Sequence, residues 1–255
     1  MIDKPLILIT NDDGINAPGV TYLADYVADM SDVIIVCPDR PQSGMSSAIT
    51  VGAPLKVSSH PDRGAARVFS VSGTPVDCVK MAMHNIVPRR PDMILSGINH
   101  GSNSGTAITY SGTMGAVLEG CMVGIPSIGF SLLHHSPKAD FSMAKPFIRQ
   151  IVKTALGNPL PYWTCLNVNI PAMMVPKGVR ACRAARGHWS EEYARYTDPS
   201  GAPFFWLTGR FINDEPQARD TDEYWLSEGY ISLVPVTPDQ TIYPAIPDFA
   251  AGYDK

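Results

Sequence analysis

A short apolar run, Pro5-Leu6-Ile7-Leu8-Ile9, leads directly into Thr10-Asn11-Asp12-Asp13-Gly14. An unbroken run of strand formers reads as a strand buried on both faces, the kind that lies inside a parallel sheet. It carries two adjacent carboxylates, Asp12 and Asp13, to the point where the chain leaves the core. Like charges sharing a site cannot both stay ionised cheaply, so a cation is the natural relief. The same residues also read as an ordinary turn with Asp capping the next helix.

The pattern then repeats. Val20, Leu23, Ala24 and Val27 fall at helical spacing, and residues 32–37 form a second apolar run stopped by Pro38. Strand, helix, strand with short links is the unit of a parallel sheet. No G-x-G-x-x-G follows the first strand, so a dinucleotide site of the usual kind is not indicated. Residues 49–57 read as extended and 68–71 as a strand, with Pro61-Asp62-Arg63-Gly64 as the turn between them. Thr74-Pro75-Val76-Asp77 has the cap, the proline and the acidic residue of a helix start. In that helix Lys80 reads as solvated. Residues 92–95 are a short strand, and 96–105 a polar loop dense in Gly, Ser and Asn. Tyr110-Ser111-Gly112-Thr113 opens an amphipathic helix, and residues 126–132 and 162–170 are strands around a further helix through Ile148 and Val152. Beyond Pro171 the texture turns richer in proline and aromatics. Asp198-Pro199-Ser200-Gly201 is a hairpin turn leading to Phe204-Phe205-Trp206-Leu207, and residues 229–236 are a late strand. The expected architecture is α/β: a Rossmann-like, mostly parallel sheet flanked by helices over residues 1–170. A β-rich arm and closing strand follow over 171–255, within one domain overall.

Composition narrows the function. Hydrophobic residues at 45% and charged residues at 17% mark a globular chain. A net charge of −4 supplies no basic stripe, which argues against duplex nucleic acid as a partner. The five cysteines are odd in number and contain no C-x-x-C pair. Buried thiols are expected, with neither a disulfide framework nor a zinc knuckle. The first apolar run is too short for a secretory signal and no stretch approaches a membrane span, so the cytoplasm is the expected compartment.

Asp12 and Asp13, Ser43 in the loop after the second strand, and Asn99 after the 92–95 strand each follow a buried strand. Parallel strands end on one rim, so these groups can converge. Two carboxylates, a hydroxyl and an amide oxygen are hard ligands, which points to Mg²⁺, Mn²⁺ or Ca²⁺ and away from Zn²⁺. Ser111, Gly112 and Thr113 at a helix start can cradle an anion, or serve as an ordinary cap. Metal-assisted hydrolysis of a phosphate ester is the coherent reading. The D-x-D of an aspartyl-phosphate mechanism is absent, since the carboxylates are adjacent. A metal-dependent nucleotide sensor without turnover, or a phosphatase of another substrate class, remains the alternative.

These residues carry a resemblance to a known family. Residues 10–15, 38–44, 73–79, 96–103, 111–113 and 229–232 are similar in type, order and spacing to the motifs of the SurE family, stationary-phase survival proteins that act as 5′-nucleotidases. The resemblance implies one divalent cation, Mg²⁺ or Mn²⁺, held by Asp12, Asp13, Ser43 and Asn99. It also implies phosphate contacts at Asn99, Ser111, Gly112 and Thr113, a nucleoside monophosphate substrate, and homodimers or homotetramers that exchange C-terminal arms. Asp12 or Asp13 would also position the attacking water. One departure is visible: Met45-Ser46-Ser47-Ala48 stands where many members have Gly-His, which puts the local loop contacts in doubt.

Overall fold

Leu6–Thr10 forms β1 and is buried at every position. Its side chains alternate between two cores, Ile7 and Ile9 entering one and Leu6 and Leu8 the other. The remaining elements follow in order. They are α1 (Pro18–Val27), β2 (Asp32–Pro38), β3 (Val57–Arg63), β4 (Ala66–Val71), α2 (Pro75–Met81), β5 (Met93–His100), α3 (Gly112–Met122), β6 (Ser127–Leu132), α4 (Lys145–Gly157) and β7 (Cys165–Ile170). The C-terminal part contributes β8 (Val179–Ala181), β9 (Gly187–Ser190), β10 (Tyr193–Thr197), β11 (Pro203–Leu207), β12 (Arg210–Asn213), α5 (Asp222–Ser227), β13 (Ile231–Val236) and α6 (Ile246–Tyr253). The structure, a computed structural model, describes residues 4–136, 138–172 and 175–253.

Nine strands form the central sheet in the order β3-β4-β2-β1-β5-β6-β7-β13-β8. The six from β4 to β7 are parallel, while β3 and β13 run against their neighbours β4 and β7. Side chains of α1 and α4 pack into the core on one face, and those of α2 into the core on the other. The expected α/β class with flanking helices holds. Strand order reverses between β1 and β5, because the chain steps outward to β2 first and returns past β1 to β5. The crevice at such a switch point, beyond the carboxyl ends of the strands, is where doubly wound sheets bind ligands.

Three expected boundaries move. Residues 49–56 are not strand, and β3 runs through Pro61 to Arg63, so the turn lies at Gly64 and Ala65. Proline is tolerated there because β3 is an edge strand whose pairing shifts register between His60 and Arg63. The Ser96–Asn99 stretch expected as loop is strand, since β5 continues to His100 and pairs Asn99 with Ser131 of β6. Lys80 is not simply solvated: it meets the buried Glu119 of α3 at 2.6 Å. The Thr74 cap is as expected, with its hydroxyl accepting from the N–H of Asp77 and the Asp77 carboxylate accepting from the N–H of Thr74.

The region after Ile170 divides its duties. β8 and β13 extend the central sheet, whereas β10–β11 and β9–β12 are separate antiparallel hairpins. No helix among the described residues is long and apolar enough to cross a membrane.

One close approach fixes how α1 sits against β5. A Cβ at Gly19 would lie 2.0 Å from the carbonyl oxygen of Ile98. Helix propensity alone favours alanine there by about 1 kcal/mol, but backbone cannot yield to a collision this deep. Gly19→Ala is therefore expected to destabilise by about 1–3 kcal/mol or more, read as a lower urea midpoint with an unchanged slope.

Candidate active site

Asp12 and Asp13 leave β1 on a turn made possible by Gly14, whose φ of 90° suits glycine, and whose carbonyl accepts from Asn11 Nδ2 at 2.9 Å. The loop after β2 is tied to this turn. Ile15 N–H donates to the Pro38 carbonyl at 2.9 Å, and Gln42 N–H to the Asp12 carbonyl at 2.7 Å. These two bonds carry the neighbouring Ser43 to the mouth of the site. The unusual segment after it is also anchored: Ser46 Oγ donates to the Thr109 carbonyl at 2.7 Å and Ser46 N–H to the Tyr110 carbonyl at 3.2 Å. Met45-Ser46-Ser47-Ala48 thus ties this loop directly to the turn before α3.

Asp12, Ser43, Asn99 and Ser111 line one cavity of about 210 Å³ at the switch point, together with Ser102, Asn103, Tyr110 and Trp189. A larger cavity of about 350 Å³ beside Leu132 and Ile170 lacks the paired carboxylates. Asp13 is not on that lining. Its Oδ2 accepts from the His100 backbone N–H at 3.1 Å and lies 3.3 Å from His100 Nδ1. His100 is therefore a partly buried partner of Asp13 that lines the cavity, its ring meeting that of Phe141 edge to face.

Gly112 and Thr113 bind Asp12 more directly than they line the cavity. Thr113 Oγ1 donates to Asp12 Oδ1 at 2.6 Å, and a Cβ on Gly112 would fall 2.8 Å from the Cβ of Asp12. Ser111 caps α3 by accepting from the Met114 N–H, which leaves its hydroxyl proton free. Burial pushes the Asp12 carboxyl up to about 6, the nearby charge of Asp13 adds to the rise, and the Thr113 hydroxyl opposes it. Among the described residues no lysine or arginine pairs with Asp12, whose one side-chain partner is the Thr113 hydroxyl.

The donor set suits a hard cation. Asn99 spends its amide nitrogen on the Gly101 carbonyl at 3.0 Å, which leaves the amide oxygen as its remaining donor to a ligand. No group of three or more His, Cys, Asp or Glu side chains suited to a metal occurs among the described residues. Two carboxylates with Ser43 and Asn99 are a different kind of set, oxygen throughout, and fit Mg²⁺ or Mn²⁺ by their chemistry.

Sequence reasoning passed over several residues of the site. Trp189 arrives from β9, paired with β12, with no local signal. Asn103 is held by a buried network: its N–H donates to Asn169 Oδ1, its Nδ2 to Ser131 Oγ, and Asn167 Nδ2 donates to its carbonyl. Here a signal existed, since Asn167 and Asn169 alternate within an otherwise apolar strand.

Fold and site together define a doubly wound α/β protein with an acidic, oxygen-rich crevice at its switch point. Residues 7–191 match the family described as Survival protein SurE. The chain is 48% identical over 241 residues to the 5′-nucleotidase SurE of Phocaeicola vulgatus, covering 94% of each. It is 48% identical over 252 residues to that of Christiangramia forsetii, covering 97% of this chain and 96% of the relative. A crystal structure of SurE from Aquifex aeolicus superposes with a TM-score of 0.82 at 35% identity, across 97% of this chain and 99% of the other. The chain belongs to the SurE family.

Proposed function

We propose that the protein is a 5′-nucleotidase, a hydrolase that converts nucleoside 5′-monophosphates to nucleoside and phosphate with one divalent cation per subunit. The observation that carries this reading is the single cavity shared by Asp12, Ser43, Asn99 and Ser111, in a chain whose relatives bear that activity in their names. Asp12, Asp13, Ser43 and Asn99 would hold Mg²⁺ or Mn²⁺. Bound there, the cation would supply positive charge to the phosphate and a lowered pKa to water.

The chain's own groups do the rest. Ser111, with its free hydroxyl proton, and the start of α3 at Gly112 and Thr113 would receive the phosphate oxygens. Asn99 contributes at the boundary between the cation and phosphate ends. Thr113 fixes the Asp12 carboxylate and the His100 backbone fixes that of Asp13, so either can orient the attacking water without losing its own alignment.

The rest of the chain supports an assembly. α6 exposes Ile246, Phe249 and Tyr253, and β11 exposes Phe205, Trp206 and Leu207. We infer that residues 171–255 act as an arm through which homodimers or homotetramers form, since so much apolar surface is costly in a lone subunit. The free cysteines favour the cytoplasm. Chelation is expected to abolish phosphate release from AMP and GMP, and Mn²⁺ or Mg²⁺ to restore it. Full activity after exhaustive EDTA treatment would remove the cation from the mechanism, and cation-dependent nucleotide binding without release would leave a sensor.

A further inference from the structure

We propose that Ser102 selects the substrate by accepting a hydrogen bond from a sugar hydroxyl, and that Glu223 sets it in that role through Ser104. The inference rests on the nucleotidase reading but on none of the cation's ligands.

Glu223 comes from the first turn of α5, far along the chain from the site. It is brought there by its neighbour Asp222, which accepts from the backbone N–H of Gly105 and of Ala185 at 2.8 Å each. The Ser104 hydroxyl donates to Glu223 Oε1. Ser104 Oγ also meets Ser102 Oγ, and the Ser104 N–H donates to Ser102 Oγ at 3.0 Å. Ser102 lines the cavity.

Proton counting then fixes the direction of the chain. A hydroxyl has one proton, and an ionised carboxylate has none to give. With Glu223 ionised, Ser104 must spend its proton on the carboxylate. The contact between the two hydroxyls can then form only if Ser102 spends its own proton on Ser104. One lone pair of Ser102 already accepts from the Ser104 N–H, so a single lone pair and no proton is left for the cavity. Burial raises the Glu223 carboxyl, the neighbouring charge of Asp222 adds to the rise, and the Ser104 hydroxyl opposes it.

An acceptor here rejects an ionised phosphate, whose oxygens also only accept. It welcomes an O–H donor. A cavity of about 210 Å³ lies below the ~300–1,000 Å³ that encloses a drug-sized ligand. It can take the phosphate and sugar, with the base left at the mouth beside the exposed Tyr110 and Trp189. The sugar hydroxyls are then the donors within reach of Ser102.

Phosphate release from AMP, 2′-deoxy-AMP and 3′-deoxy-AMP at saturating Mn²⁺ tests this. Wild type should lose about tenfold in kcat/KM on one of the two deoxy substrates, the worth of one hydrogen bond. Ser102→Ala should treat that substrate and AMP alike. Glu223→Gln keeps the shape but can donate to Ser104 and reverse the chain, so it too should lose the discrimination, which a purely structural role would not alter. The proposal is overturned if wild type handles all three within about twofold, or if Ser102→Ala or Glu223→Gln still discriminates as wild type does. Should Glu223→Gln fail to fold, the Ser102→Ala arm decides. If wild type releases no phosphate from AMP, the nucleotidase reading fails instead, and equilibrium binding of the same three nucleotides to both variants tests Ser102 separately.

Discussion

Asp12→Asn is expected to yield a metal-free protein that is more stable than wild type and has no phosphatase activity. Asp12 is almost wholly buried, and its carboxyl is pushed from 3.8 up to about 6, by burial first and by the charge of Asp13 second. The folded state therefore holds the proton more tightly than the unfolded state. The stability tied to that proton is fully present below about pH 4 and is lost as pH rises through about 6. A shift of this size corresponds to about 3 kcal/mol. The asparagine variant carries no such charge and escapes the loss. Urea unfolding in EDTA across this window should show the wild type falling behind the variant as pH rises. Adding Mn²⁺ should then stabilise wild type and leave the variant largely unmoved, because only a ligand that binds the folded state shifts the equilibrium. A difference that is flat with pH would mean that Asp12 does not feel the burial that surrounds it. On the proposed function, the stability lost at this carboxylate is the cost of holding a cation ligand in the core.

Gly112→Ala is expected to lower kcat by about 100-fold with little change in the fold. The added methyl would stand 2.8 Å from the Cβ of Asp12 and 3.1 Å from its Oδ2. Either Asp12 turns away from Thr113 or the first turn of α3 retreats from the proposed phosphate position. Both displace reacting groups, and a misplacement of about 1 Å is enough for a loss of that order. Raising Mn²⁺ should restore part of the rate if Asp12, a proposed ligand of the cation, is what moves, and none of it if α3 moves instead. Steady-state kinetics with AMP over a Mn²⁺ titration checks both parts. Near-normal kcat would show that the contact between α3 and Asp12 is slack.

Much of this was legible in the chain because its central strands are buried on both faces. β1 and β2 announce themselves as apolar runs, and the end of each parallel strand must share a rim. Asp12, Asp13, Ser43 and Asn99 could therefore be assigned to one rim before any side chain was positioned, and Asp12, Ser43 and Asn99 do line one cavity. What escaped was decided by partners distant in sequence. The Ser96–Asn99 stretch has the composition of a loop, and is strand because β6 supplies the ladder at Ser131. Pro61 argued for a turn, but an edge strand spares the missing N–H. Trp189 reaches the cavity only because β9 pairs with β12, and nothing near it in the sequence foretells that pairing. Glu223 is similar: the chain from Ser104 crosses more than a hundred residues to reach it.

That long reach bears on how the protein is made. Asp222 accepts from the N–H of Gly105, and β13 inserts between β7 and β8, antiparallel to the first and parallel to the second. A ribosome therefore releases the whole acidic rim well before the segment that holds the neighbouring Ser102–Gly105 loop in position. Until α5 and β13 emerge, the edge of β7 is unpaired and the wall of the cavity is loose. The emerging chain would be exposed to aggregation through that edge during this interval. Nascent chains arrested before Asp222 should accordingly lack organised nucleotide binding, while chains released just past Val236 acquire it.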